Sequence, residues 1–385
     1  MEKISDVVTP SLVISEIELL RYSTACREMA EACGCRVLCS IKSCGEFSCL
    51  EILASVTDGF SCSSVFEASL ASCYSEPGKV VQIVTPGLTR KFLATLEHPP
   101  NLLTFNSIEQ FVRLVDATDD ATRLAIRVNP KTRFVKNEKY DPCRVGSKLG
   151  VNVEKIIKEF QHNDLFRDRI TGLHVHNNCE SDDFEQLRET VEILKPILQP
   201  EFGLDWINLG GGYDFFDADP VPFQDVVKEL VDEFGLEVFF EPGGGLVREA
   251  GYLVSTIVDM FDSDGDAVAI LDTTVNHAPE VFEYAWSPPV LGSVKDGAYQ
   301  YTLAGCSCLA GDVFGKYKFE NPLKVGDKVV FGSLGAYAMP KWSYFNGINL
   351  PTIYLLTKDG DLILKKSFTF EEFASRCGVE KIAFN

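Results

Sequence analysis

"ITGLHVHNNCESDDFEQLRETVEILKPILQPEFGLDWINLGGG" occupies residues 170–212. It opens on a short apolar run, ITGLHVH (170–176), and passes through an amphipathic stretch, FEQLRETVEILKPIL (184–198). It then returns to a second run, WINLGGG (206–212). Apolar runs of strand length separated by a helical stretch read as strand, helix, strand, the unit of a parallel sheet covered by helices. The same alternation extends from about residue 30 to residue 250. Further candidate strands are RVLCSIK (36–42), DGFSCSS (58–64), KVVQIVTP (79–86), LLTFN (102–106), RLAIRVN (123–129) and LEVFFEPG (236–243). VEKIIKEFQHN (153–163) is another helical stretch. About eight such strands predict a (β/α)8 barrel.

Beyond about residue 252 helical periodicity fades. YLVSTIVDMF, AVAILDTTV, YQYTLAGC, DKVVFGS and TIYLLTKDGDLILKKS alternate with turns, and TKDGD is a good hairpin turn. The expected organisation is an N-terminal segment (1–30) contributing partly to a β-domain, a barrel (31–250) and a C-terminal β-domain (251–385).

Composition narrows the possible functions. The formal charge is −20, from 36 basic and 56 acidic residues, which argues against a nucleic-acid-binding surface. No run approaches the ~18 apolar residues of a membrane helix, so no membrane partner is expected. The opening MEKISDVVTPSLVISEIE is charged and lacks the apolar core of a secretory signal, which predicts a cytoplasmic protein. The 13 cysteines form no paired CxxC clusters and mostly sit in apolar runs, which predicts buried reduced thiols. Cys33/Cys35 and Cys306/Cys308 have a single intervening residue, a poor zinc spacing, and no metal is expected.

In such a barrel the chemistry lies at the C-terminal ends of the strands. Those ends deliver Lys42, the pair His174 and His176, the turn Gly210–Gly211–Gly212, and Glu241-Pro242-Gly243. A lysine among apolar groups has its ammonium destabilised and becomes a competent amine nucleophile. A glycine turn admits a ligand close to the backbone, and its N–H groups can hold phosphate. Glu241 could keep a proton on a pyridine nitrogen, and His176 could lie flat on that ring. Together these parts describe pyridoxal 5′-phosphate (PLP) chemistry. The later stretches add GCSCLAGD (305–312) and GAYAMPKWSYFNG (335–347). A cysteine there could donate a proton to a carbanion. Residues i and i+2 of an extended segment point the same way, so orientation alone leaves Cys306 and Cys308 both open.

The order SIK, DGFSCSSVFEA, HVHNNCE, NLGGG, EPG, GCSCLAGD and GAYAM resembles the fold-type III PLP decarboxylases, which share the alanine racemase barrel. Within them the chain is most similar to the carboxynorspermidine/carboxyspermidine decarboxylases. That likeness is carried by YDPCRVGSKLGV (140–151), ILDTTVNHAPEVFEY (270–284), the run from Cys306 to Phe331, and FNGINLP (345–351). The resemblance implies a homodimer with shared active sites and an amino-acid substrate bearing a long cationic side chain. It implies that Lys42 carries the cofactor, His176 stacks on its ring and Glu241 pairs with its nitrogen. Gly210, Gly211 and Gly212, with Gly243 and Gly244, would cradle the phosphate. Tyr337 would bind phosphate and Cys308 would return a proton to the substrate carbon, both from the partner subunit. Asp272, His277, Glu280 and Asp312 match positions that meet the substrate. The chain departs from the family pattern at Ser40, at Gly244 after EPG, and at Lys148, where a barrel arginine is usual, with Arg144 nearby.

Three alternatives remain. A racemase of this fold would present two opposed bases rather than CSCLAGD. A non-catalytic PLP carrier would lack the β-domain. A decarboxylase for another diamino acid, such as a diaminopimelate-like acid or a siderophore intermediate, would use the same cofactor site.

Overall fold

The computed structural model describes residue 4, residues 6–74 and residues 78–379. The chain divides into two compact units. One comprises Leu20–Lys42 and Leu50–Leu246, and the other the chain up to Leu19, Ser43–Cys49 and everything from Val247 onward.

The first strand, β1 (Ser11–Ser15), belongs to the second of these units. The eight that follow are β2 (Cys35–Ser40), β3 (Gly59–Cys62), β4 (Val80–Val84), β5 (Leu102–Phe105), β6 (Arg123–Val128), β7 (Ile170–Val175), β8 (Trp206–Asn208) and β9 (Glu237–Phe240). They pair in parallel in sequence order and close when β2 meets β9 through Val37 and Phe240. The expected barrel is therefore present: seven strands fall inside the runs that predicted them, and β2 begins one residue before its run, at Cys35. Helices Val153–His162 and Glu185–Leu194 occupy the two predicted helical stretches.

The barrel interior is a packed layer. Leu38, Val80, Leu102, Ala125, Trp206 and Phe239, from six different strands, form one buried cluster. Trp206 fills the space opposite Gly172 of β7, where a Cβ would stand 2.1 Å from the indole. At the N-terminal ends of the strands Arg36 and Arg123 both pair with Glu237, and Arg123 also reaches Asp205. Charge pairing at that end serves stability and leaves the opposite end for chemistry.

The remaining strands are β10 (Gly251–Ser263), β11 (Asp266–Leu271), β12 (Tyr299–Ala304), β13 (Val313–Phe319), β14 (Lys328–Phe331), β15 (Thr352–Leu356) and β16 (Leu362–Lys366). Their order across the sheet is β13-β12-β11-β10-β1-β15-β16, with β14 also on β10. β15 and β16 form the hairpin expected at TKDGD. β1 lies between β10, antiparallel, and β15, parallel. The core of this unit gathers Leu253, Ile257, Leu271, Leu303, Phe314 and Phe331, the last two rings stacked at 4.5 Å.

Candidate active site

The strand leading to Lys42 stops two residues earlier than its sequence suggests. β2 ends at Ser40, and Lys42 sits in a 3-10 turn, Ile41–Ser43. Ser40 N–H donates to the Pro242 carbonyl at 3.1 Å, tying this turn to the EPG segment after β9. Lys42 opens onto solvent in the barrel mouth. Crowding by protein lowers its ammonium from the usual lysine value and Arg127 adds to this, against Glu241, Glu67 and Cys179.

A buried polar network lies among these strands. Glu241 is 7 % exposed. Asn208, fully buried at the end of β8, donates its amide to Glu241 Oε1 at 2.9 Å and to Gln82 Oε1 at 2.6 Å. Its own Oδ1 accepts the Gly210 N–H at 2.7 Å. Gln82 continues to Thr104 Oγ1 at 3.3 Å. On the other carboxylate oxygen, His174 Nε2 lies 3.3 Å from Glu241 Oε2. Burial alone would raise this carboxyl, but His174, Lys42 and the Ser61 hydroxyl outweigh it and hold Glu241 below the usual glutamate range. Burial, with Lys42 and Arg127 close by, pushes His176 well below the usual histidine value, so its imidazole is neutral.

The glycine turn is built against the chain itself. Gly210 and Gly212 have φ of +68° and +90°, and a Cβ on Gly211 would lie 2.1 Å from the Glu241 carbonyl oxygen. Gly211 N–H donates to His176 Nδ1 at 3.0 Å, which fixes that ring with its proton on Nε2. The amides of Gly210 and Gly211 are thus used within the chain. Gly243 and Gly244 follow at the turn into the short helix Gly244–Val247.

One buried cation was not anticipated. Arg127 of β6 is 8 % exposed, and its guanidinium lies 3.4 Å from the His176 carbonyl oxygen. Burial lowers it to about 10, so it stays charged at neutral pH. Lys148 and Arg144, the two candidates for the usual barrel arginine, are both exposed. A polar residue embedded in an apolar strand run is the signal that marks Arg127, Asn208 and Gln82, because burial without a partner is costly.

The other candidate residues lie in the second unit. The GCSCLAGD loop closes on Asp312, which is 2 % exposed. Its carboxylate accepts the Val275 N–H at 2.8 Å and the Ser307 N–H at 3.0 Å. Cys306 N–H donates to the Thr273 carbonyl at 2.9 Å, and Cys308 N–H to Asn346 Oδ1 at 2.8 Å. Both thiols are exposed, so accessibility does not choose between them. Asp272 accepts from Ser255, Thr256 N–H and Thr9. His277 is 1 % exposed, with Nδ1 2.9 Å from Thr273 Oγ1 and its carbonyl capped by Trp342 Nε1 at 2.7 Å. Glu280 pairs with Arg248 at 2.9 Å and lies 3.8 Å from Lys341, which also reaches Glu283 at 2.7 Å. Tyr337 holds φ +54°, a strained value for an aromatic residue, and its N–H donates to the Ser43 carbonyl at 2.8 Å.

Residues 21–254 match the family described as pyridoxal-dependent decarboxylase, pyridoxal binding domain. The chain is 31% identical to the carboxyaminopropylagmatine decarboxylase of Synechocystis sp., covering 98% of this chain and 97% of that protein. It is 28% identical to the carboxynorspermidine/carboxyspermidine decarboxylase of Campylobacter jejuni, covering 96% and 98%. The crystal structure of carboxynorspermidine decarboxylase complexed with norspermidine, from Campylobacter jejuni, superposes with a TM-score of 0.82 at 27% identity, covering 96% of this chain and all of that one.

Proposed function

Because the chain belongs to the pyridoxal-dependent decarboxylases, we propose that it removes CO2 from an amino acid with a long cationic side chain, of the carboxynorspermidine/carboxyspermidine or carboxyaminopropylagmatine kind. The observation that carries the cofactor site is the convergence of Lys42, Arg127, His176 and Glu241 around one barrel mouth. These residues fit pyridoxal phosphate. An amine with lowered pKa, a neutral imidazole and a carboxylate kept anionic are the donor set that an aldehyde-bearing pyridinium ring requires.

When bound, pyridoxal phosphate supplies an electron sink for the pair left behind as CO2 departs. Lys42 Nζ would be the residue that holds the cofactor covalently. Glu241 holds a proton on the ring nitrogen. His176, fixed by Gly211, would be the side chain that packs against the ring. With the Gly210 and Gly211 amides engaged, phosphate contact falls to Gly212 and to the turn containing Gly243 and Gly244. Tyr337 joins that contact, its strained backbone being a conformation a functional position would retain. Cys308 Sγ returns a proton to the substrate carbon. Cys308 and Tyr337 act from the partner subunit of a homodimer.

Asp272, Asp312 and His277 are engaged by the fold, and we assign them to shaping the loops that face the substrate. Glu280, held by Arg248, is the carboxylate we assign to the cationic tail. A substrate panel tests the reading. Purified enzyme should release CO2 from the polyamine-type acids far faster than from meso-diaminopimelate. Borohydride should fix pyridoxal phosphate on Lys42. Turnover of diaminopimelate alone, or labelling of another lysine, overturns it.

A further inference from the structure

His174 and His176 leave the same strand end, yet only His176 has a place in the chemistry above. His174 is 1 % exposed. Its Nε2 faces Glu241 Oε2 at 3.3 Å, and its Nδ1 is buried with no hydrogen-bond partner. An ionised carboxylate only accepts hydrogen bonds, and a neutral imidazole carries a single N–H. A proton on Nδ1 would strand a buried donor and set two acceptors against each other. A proton on both nitrogens would also strand the Nδ1 donor, beside the charges of Lys42 and Arg127. The neutral tautomer with hydrogen on Nε2 pairs donor with acceptor at Glu241 and leaves only the Nδ1 lone pair without a partner.

We infer that His174 is a positioning residue: as a neutral Nε2–H donor to Glu241 Oε2, opposite the Asn208 amide on Oε1, it keeps that carboxylate ionised and aimed, and thereby fixes the protonation of the ring nitrogen it faces. The inference rests on the reading that Glu241 faces the pyridine ring of the cofactor. Asn208 gives the arrangement its rigidity, since the same side chain holds Gln82 at 2.6 Å and the Gly210 amide at 2.7 Å. The groups facing Glu241 are His174, Asn208, Ser61, Lys42, Arg127 and Cys62. Of these, His174, Asn208 and Ser61 offer neutral donors, and His174 alone offers one whose second polar atom has no other use.

The lone Nδ1 makes the test specific. In His174→Gln the side-chain amide nitrogen reaches the place of Nε2, and in His174→Asn it reaches only the place of Nδ1. The carboxyl stretch of Glu241 is followed by infrared titration of the full-length protein without cofactor, taking Glu241→Gln as the difference reference. Its protonation midpoint should rise by about one to two pH units in His174→Asn, the size of one hydrogen bond to a charged group, and return in His174→Gln. With pyridoxal phosphate added, the acid-side loss of cofactor binding should move to higher pH in His174→Asn and be restored in His174→Gln. Circular dichroism confirms that each variant is folded. An unmoved Glu241 midpoint in folded His174→Asn overturns the inference, as does a Gln variant that behaves like Asn. If instead the midpoint moves while cofactor binding is indifferent even to Glu241→Gln, His174 acts as inferred and the placement of Glu241 at the ring is what fails.

Discussion

Single side chains decide most of the chemistry here, and His277 shows how burial acts on one of them. His277 is held neutral by desolvation, its pKa down to about 4, with no compensating charge nearby. A histidine whose folded pKa lies below its unfolded value gives up stability as pH falls between the two. Unfolded His277 titrates near 6.5, so the loss begins there and is complete near 4, amounting to about 2 kcal/mol at pH 5. His277→Asn keeps a side-chain amide for Thr273 and removes the titration. Urea unfolding should show a smaller drop in stability from pH 7 to pH 5 for this variant than for the wild type; equal drops would mean another group carries the acid sensitivity. Cys308 invites the second experiment. Loss of a general acid slows its step by about 10²–10⁴-fold, while departure of CO2 does not need the thiol. Cys308→Ala should therefore make amine slowly and release part of the product as an aldehyde whose amino group would stay on the cofactor, whereas Cys306→Ala changes little. Wild-type amine formation by Cys308→Ala would reduce that thiol to packing. Lys42, Glu241 and the glycine turn were readable because they end apolar runs. The long-range partners of Asp272, His277 and Asp312 were not, because bonds such as Thr9 to Asp272, Trp342 to the His277 carbonyl and Val275 to Asp312 join distant parts of the chain and leave no local pattern.

The strands divide along the same line. All eight barrel strands declare themselves, since a strand buried on both faces is a continuous apolar run bounded by polar ends. β1 and β13 escape that reading. β1 is only five residues and owes its place to β10 and β15, more than 230 residues away. β13 reads VFGKYKF, broken by a glycine and two lysines, as an edge strand often is. Gly172 of β7 was likewise silent, although the barrel depends on it. Its missing Cβ makes room for the Trp206 indole, from which a Cβ would stand 2.1 Å, and Trp206 is itself buried in the barrel layer. Gly172→Ala should cost about 1–3 kcal/mol or more from overpacking and lower the melting temperature. Adding Trp206→Leu should recover part of that loss, because the two changes share one cavity. Full additivity of the two losses would show that the glycine is needed for its backbone instead.

At the largest scale, the proposed homodimer raises the question of which chain supplies each residue of a site. Lys42, His176 and Glu241 belong to the barrel unit, and Cys308 and Tyr337 to the sheet unit. In the proposed homodimer each site takes its barrel residues from one chain and its cysteine and tyrosine from the other. A two-fold axis then makes both sites equivalent, so each chain serves its partner as its partner serves it. Lys42→Ala and Cys308→Ala dimers are each deficient at both sites. When the two chains are mixed and allowed to exchange, a heterodimer gathers both lesions in one site and leaves the other with an intact lysine and an intact cysteine. Random exchange at equal concentration makes half the dimers mixed, so activity should climb to about a quarter of the wild-type level. Exchange is verified independently by co-purification of differently tagged chains. The result is sharp because a site built within a single chain keeps its own lesion in every pairing. Exchange without recovery would place lysine and cysteine of one site on the same chain and end the shared-site reading, while leaving the cofactor chemistry of the barrel untouched.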